Sequence, residues 1–138
     1  MTRLLGVDPG TKRCGIAISD STQSMAFPRP ALTRDATLID KLAALVDEEA
    51  IGGIVIGLPV ALSGNETAST VDAQQLFEEV LEKISDIPVL QWDERLTTLQ
   101  AQKSLSEAGL RSRDQRSRVD SAAAVIMLQN YLDGLNAE

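Results

Sequence analysis

Two short apolar runs near the start, residues 4–7 and 15–19, flank the turn-rich stretch Pro9-Gly10-Thr11-Lys12-Arg13. A turn-rich connection of that length is a hairpin signal, so the two runs read as antiparallel strands. The first run ends in a carboxylate, Asp8, and the second is followed by another, Asp20.

A weaker extended segment over 25–33 follows, and Pro28 and Pro30 confine it to a sheet edge or make it irregular. Leu38, Leu42, Leu45 and Val46 then repeat at helical spacing behind Thr37, with Asp40 at the capping-box position. The continuous apolar run 53–58 between glycines suits a central strand buried on both faces, stopping at Pro59. Residues 60–68 read as a loop, and Val71, Leu76, Val80, Leu81 and Ile84 as the apolar side of a second helix. Residues 88–92 form the next strand, with Asp93 and Glu94 at its carboxyl end. Thr97 and Gln100 cap a third helix that closes near Gly109. A basic loop over 110–118 leads to a final helix over 119–132, offering Val119, Ala122, Ala123, Ile126, Met127 and Tyr131 to the core. A hairpin-led meander feeding strand–helix–strand crossovers gives an α/β fold, a mixed sheet with helices on its faces.

At 138 residues with 43% hydrophobic residues, the chain is expected to form a single domain over 1–138. Its apolar runs are far shorter than the roughly 20 residues that span a bilayer, and Asp8 and Lys12 interrupt any signal peptide, so a cytoplasmic protein without a membrane partner is expected. The lone cysteine, Cys14, reads as a small buried hydrophobe. The absence of histidine removes imidazole catalysis and mixed Cys/His zinc sites. A net charge of −7 argues against a broad nucleic-acid surface and leaves local basic clusters to do such work.

Sites in open α/β sheets gather outside the carboxyl ends of the strands. Asp8, the Asp93/Glu94 pair and Asp120, in the first turn of the last helix, are the acids to compare there. Clustered carboxylates repel unless a cation neutralises them, and an oxygen-only donor set selects Mg²⁺ or Mn²⁺. Two such ions about 3.5 to 4 Å apart support phosphodiester hydrolysis. Each acid also has an ordinary role: Asp8 opens a turn, Asp93 caps one, and Asp120 complements a helix dipole. Trp92 reads as core rather than a base-stacking platform. Arg111, Arg113, Arg116 and Arg118 form either a solvated loop or a phosphate-facing one beside Asp120.

In order and spacing, "GVDPGTKR" (6–13), "IGLP" (56–59), "WDERLTT" (92–98) and "VDSAA" (119–123) resemble the YqgF (RuvX-like) family across essentially the whole chain. That family is described as Holliday-junction resolvases and as nucleases processing the 5′ end of pre-16S rRNA. The resemblance implies a ribonuclease H-like fold: a mixed five-stranded sheet, three strands antiparallel and the rest parallel, flanked by helices. It implies Asp8, Glu94 and Asp120 as acidic metal ligands and catalytic residues. Lys12 and Arg95 match its basic positions and, with Arg13, Arg116 and Arg118, would hold nucleic-acid phosphates. Glu66, in the Gly64-Asn65-Glu66 loop, is the alternative to Glu94.

The leading expectation is a Mg²⁺- or Mn²⁺-dependent nuclease acting on precursor rRNA, as a monomer or homodimer. A junction resolvase acting on branched DNA and a non-catalytic RNA-binding module are the alternatives. An actin-like ATPase is disfavoured, because such proteins close nucleotide between two related halves and no internal repeat is visible.

Overall fold

The computed structural model describes residues 2–10, 12–59, 68–93 and 121–136. The opening hairpin forms as expected: β1 (Arg3–Asp8) and β2 (Arg13–Ser19) pair antiparallel, with Val7 opposite Ile16 and Asp8 opposite Gly15. β3 (Ala26–Thr33) adds antiparallel to β2 as an edge strand, where the missing N–H groups of Pro28 and Pro30 are tolerated. After α1 (Leu38–Glu48), β4 (Ile51–Leu58) returns parallel to β1. α2 (Ala68–Lys83) then leads to β5 (Val89–Asp93), parallel to β4, and α3 (Ala122–Leu135) is the last described element. The strand order is β3-β2-β1-β4-β5, the expected mixed five-stranded sheet.

Strand alternation sends odd and even residues of β1 to different layers. Leu5 and Val7 join Ile16, Ile54, Ile56, Leu38 and Leu42 beneath α1 and α2. Leu4 joins Ala17, Val55, Val125, Met127 and Leu128 beneath α3. Asp8 therefore shares the α3 side of the sheet. The helix lies close there because β1 presents Gly6, where an added Cβ would come within 3.1 Å of Leu128 Cβ and 3.4 Å of Met127 Cε.

Three local expectations need correction. Thr37 begins α1 without a side-chain cap bond, because its hydroxyl and N–H both go back to Asp35 Oδ1, at 2.5 and 2.9 Å. On α2, Leu76 and Val80 are buried with Ala73 and Thr70, whereas Val71 and Leu81 are exposed; the helix is narrower on its apolar side than the pattern implied. α3 is buried at every position from Ala124 to Leu128, so Ala124, Val125 and Leu128 belong to the core while Ala122 and Ala123 are only half-buried. The expected third helix, the basic loop and Val119 lie outside the described residues.

Asp20 organises the β2–β3 turn. Its Oδ1 accepts the Ser24 and Met25 N–H groups at 2.8 and 3.2 Å, and its Oδ2 accepts the Thr22 and Ser24 hydroxyls at 3.0 and 2.9 Å. Those bonds, led by the Ser24 and Met25 amides, hold the carboxyl down to about 2.

Candidate active site

The parallel strands β1, β4 and β5 all end at one edge of the molecule. Val7 is level with Ile56 and Gly57 with Trp92, so one step along the strands sets Gly57 beside Asp8. On its other side Asp8 faces Gly15. The carboxylate thus emerges between two residues with no side chain, on the surface that carries α3. It is half-buried and has no hydrogen-bond or ion-pair partner among the described residues.

Alternation along β5 separates the two acids that follow it. Val89 packs under α2, Gln91 donates to Gln74 Oε1 of α2 at 2.8 Å, and Trp92 joins the α3 layer. Asp93 therefore falls on the α2 side, away from Asp8. Trp92 meets Tyr131 edge-on, with ring centroids 6.0 Å apart, in agreement with its reading as a core residue. Its Nε1 is buried without an acceptor among the described residues.

The start of α3 is pinned at the same end. Ser121, fully buried, accepts the Ile16 N–H on its Oγ at 3.0 Å and donates that hydroxyl to the Arg29 carbonyl at 2.7 Å. Ile16 and Arg29 are partners across β2 and β3, where the register shifts between Cys14 and Ile16. The hydroxyl bridges the ladder at that irregularity and fixes the helix start one residue below the level of Asp8. Ser121 follows Asp120 directly in the chain.

Between β1 and β2 the turn is tight: a Cβ on Gly10 would lie 2.3 Å from the Arg13 carbonyl oxygen. Lys12 and Arg13 are exposed there, next to the Asp8 end. Cys14 is buried beneath the turn, and burial pushes its thiol above the ordinary range.

Of the sequence-derived candidates, Asp8, Lys12 and Arg13 are described and share one end of the sheet. Glu94, Arg95, Arg116, Arg118, Asp120 and the alternative ligand Glu66 lie outside the described residues. Among the described residues no three acids or thiols come together to hold a metal. What is described suits a hard divalent ion: an oxygen donor with open lone pairs, flanked by glycines, with no cation paired to it.

The sequence reading missed Ser121, Gly15 and Gly57, and it missed Arg34 and Asp72, which pair beside the turn. A helix-start serine after an acid was a usable signal. Nothing local marks a pair 38 residues apart.

A family model described as "RuvX: Holliday junction resolvase" matches residues 2–134. The chain belongs to the RuvX family. RuvX relatives include a protein of Mycobacteroides abscessus, 44% identical over 95% of this chain and 81% of its own length, and one of Maridesulfovibrio salexigens, 41% identical over 94% of this chain and 97% of its own. Both carry the name "Putative pre-16S rRNA nuclease".

Among solved structures, RuvC of T. thermophilus in complex with a Holliday junction substrate superposes with a TM-score of 0.62 at 13% identity, over 99% of this chain and 97% of that one. Fowlpox virus resolvase, in a complex with Holliday junction DNA, gives 0.56 at 11% identity, over 97% and 99%. At such low identity these likenesses carry the fold alone, and that fold is ribonuclease H-like, as the motifs implied. No helix among the described residues is long and apolar enough to cross a membrane.

Proposed function

We propose that this RuvX protein is a divalent-metal-dependent nuclease of precursor rRNA, acting through Asp8 with Glu94 and Asp120. The observation that carries the reading is the Asp8 carboxylate, without a hydrogen-bond or ion-pair partner among the described residues, set between Gly15 and Gly57 at the sheet end where α3 begins. No described residue forms a hydrogen bond or ion pair with that carboxylate. A cation and a substrate phosphate give it a purpose.

Asp93 falls on the α2 side, away from Asp8, which leaves Glu94, the acid of the "WDERLTT" motif, as the proposed second ligand. Asp120 precedes Ser121, whose buried hydroxyl anchors the helix start at the Asp8 end. Mg²⁺ or Mn²⁺ bound there would activate water and stabilise the leaving oxygen of a phosphodiester. The chain's own groups do the rest: the carboxylates hold the ion, and Lys12, Arg13, Arg95, Arg116 and Arg118 orient the substrate phosphates. A net charge of −7 makes that local cluster, rather than the general surface, responsible for nucleic-acid binding.

Precursor rRNA is favoured as substrate by the names of the relatives at 44% and 41% identity. Branched DNA is the second reading, favoured by the description of the matching family. The test is cleavage of a precursor-rRNA fragment beside a four-way DNA junction, with Mg²⁺, with Mn²⁺ and with excess EDTA. Metal-dependent cleavage of the RNA alone supports the proposal, junction cleavage alone supports the second reading, and undiminished cleavage in EDTA contradicts both.

A further inference from the structure

The turn after Asp8 is gripped from outside by one residue that the sequence does not mark. Arg34 follows β3 directly, and its backbone N–H donates to the Lys12 carbonyl at 2.8 Å. Its side chain returns to the same turn, with Nη1 donating to the Gly10 carbonyl at 3.1 Å. Two carbonyls of the turn are thus held by one residue.

The guanidinium is itself fixed in place. Nη1 donates to Asp72 Oδ2 at 2.7 Å and Nη2 to Asp72 Oδ1 at 3.0 Å, a two-pronged contact that sets the plane of the group as well as its position. Asp72 stands in the first turns of α2, and the Thr70 hydroxyl beside it donates to the Pro59 carbonyl just past the end of β4. A continuous path therefore runs from the end of β4 through Thr70, Asp72 and Arg34 to Gly10, two residues from Asp8.

Such a pair adds little to stability, because the side chain of Asp72 is 43% exposed. What it supplies is geometry. Pro9 carries no N–H and Gly10 no side chain with which to fix the turn, yet a ligand carboxylate must be held to about 0.5 Å to bind well. Lysine could keep the charge but not span Asp72 and the Gly10 carbonyl together.

We propose that Arg34, clamped by Asp72, is a positioning residue that holds the Asp8 carboxylate in its ligating pose. The proposal rests on the nuclease reading, in which Asp8 binds the metal. It is tested on the full chain by titrating Mn²⁺ and following the free-ion signal by electron paramagnetic resonance, with melting temperature measured alongside. Arg34→Ala should weaken Mn²⁺ binding about ten- to a hundredfold, the usual effect of removing an outer-shell support, with little change in melting temperature. Arg34→Lys should melt like the parent and remain weak for Mn²⁺, which a purely structural ion pair would not predict. Should Arg34→Ala fail to fold, Asp72→Asn carries the same expectation. Parental Mn²⁺ affinity in the folded Arg34 or Asp72 variants, with Asp8→Asn unable to bind, overturns the positioning role alone. Parental affinity in Asp8→Asn removes the metal-site reading, and the positioning role falls with it.

Discussion

The Ser121 hydroxyl takes the Ile16 N–H at 3.0 Å, a contact between residues 105 apart in the chain. The same hydroxyl donates to the Arg29 carbonyl, so one side chain bridges two strands and seats the last helix on them. Ser121→Ala leaves a buried donor and a buried acceptor unpaired. Chemical denaturation should show a loss of about 1–3 kcal/mol, and nuclease activity should fall further than stability does, because the residue before Ser121 is a proposed ligand. A neutral effect on both would refute the bridging role.

Gly6 lets α3 approach β1, with Leu128 Cβ only 3.1 Å from where a Cβ would stand. The obstructing atom belongs to the helix stem and cannot swing aside. Gly6→Ala should therefore cost about 1–3 kcal/mol in urea unfolding, despite alanine's advantage in the unfolded chain. A variant as stable as the parent would mean that the helix yields.

Hydrogen bonds lower the Asp20 carboxyl to about 2 in the folded protein, against 3.8 for the free side chain. A depressed folded value contributes stability that is complete above the unfolded value and disappears as pH falls through the folded one. Urea midpoints should thus decline between about pH 4 and pH 2, and Asp20→Asn should flatten that part of the decline. Identical acid profiles for parent and variant would contradict the assignment.

Cys14 is fully buried, and burial raises its thiol. A thiol-directed reagent near neutral pH should leave it unmodified in the folded chain and react once denaturant unfolds it. Rapid reaction under native conditions would show that the core opens beneath the Asp8 turn.

Much of the sheet was legible because its strands are short apolar runs cut off by turns. Residues 53–58 showed a strand buried on both sides, and Pro28 with Pro30 showed an edge. Helix faces were less legible. α3 is enclosed from Ala124 to Leu128, which erases the period a half-exposed helix displays, and Val71 and Leu81 are apolar residues that face solvent. At the site, Asp8 could be picked out by its place at a strand end. The glycines that give its carboxylate room are set by register between strands, and the Arg34 clamp by packing between distant segments; neither leaves a local pattern. That Asp93 lies on the α2 side follows from the direction of β5's alternation, which only its contacts with α2 and α3 reveal.

The most direct measurement is cleavage of a precursor-rRNA fragment by Asp8→Asn beside the parent across a Mg²⁺ titration, with circular dichroism reporting the fold. The substitution keeps shape and removes the charge that holds the ion. The account predicts a folded variant whose cleavage is lost at every Mg²⁺ concentration; a folded variant that cleaves at the parental rate would contradict it.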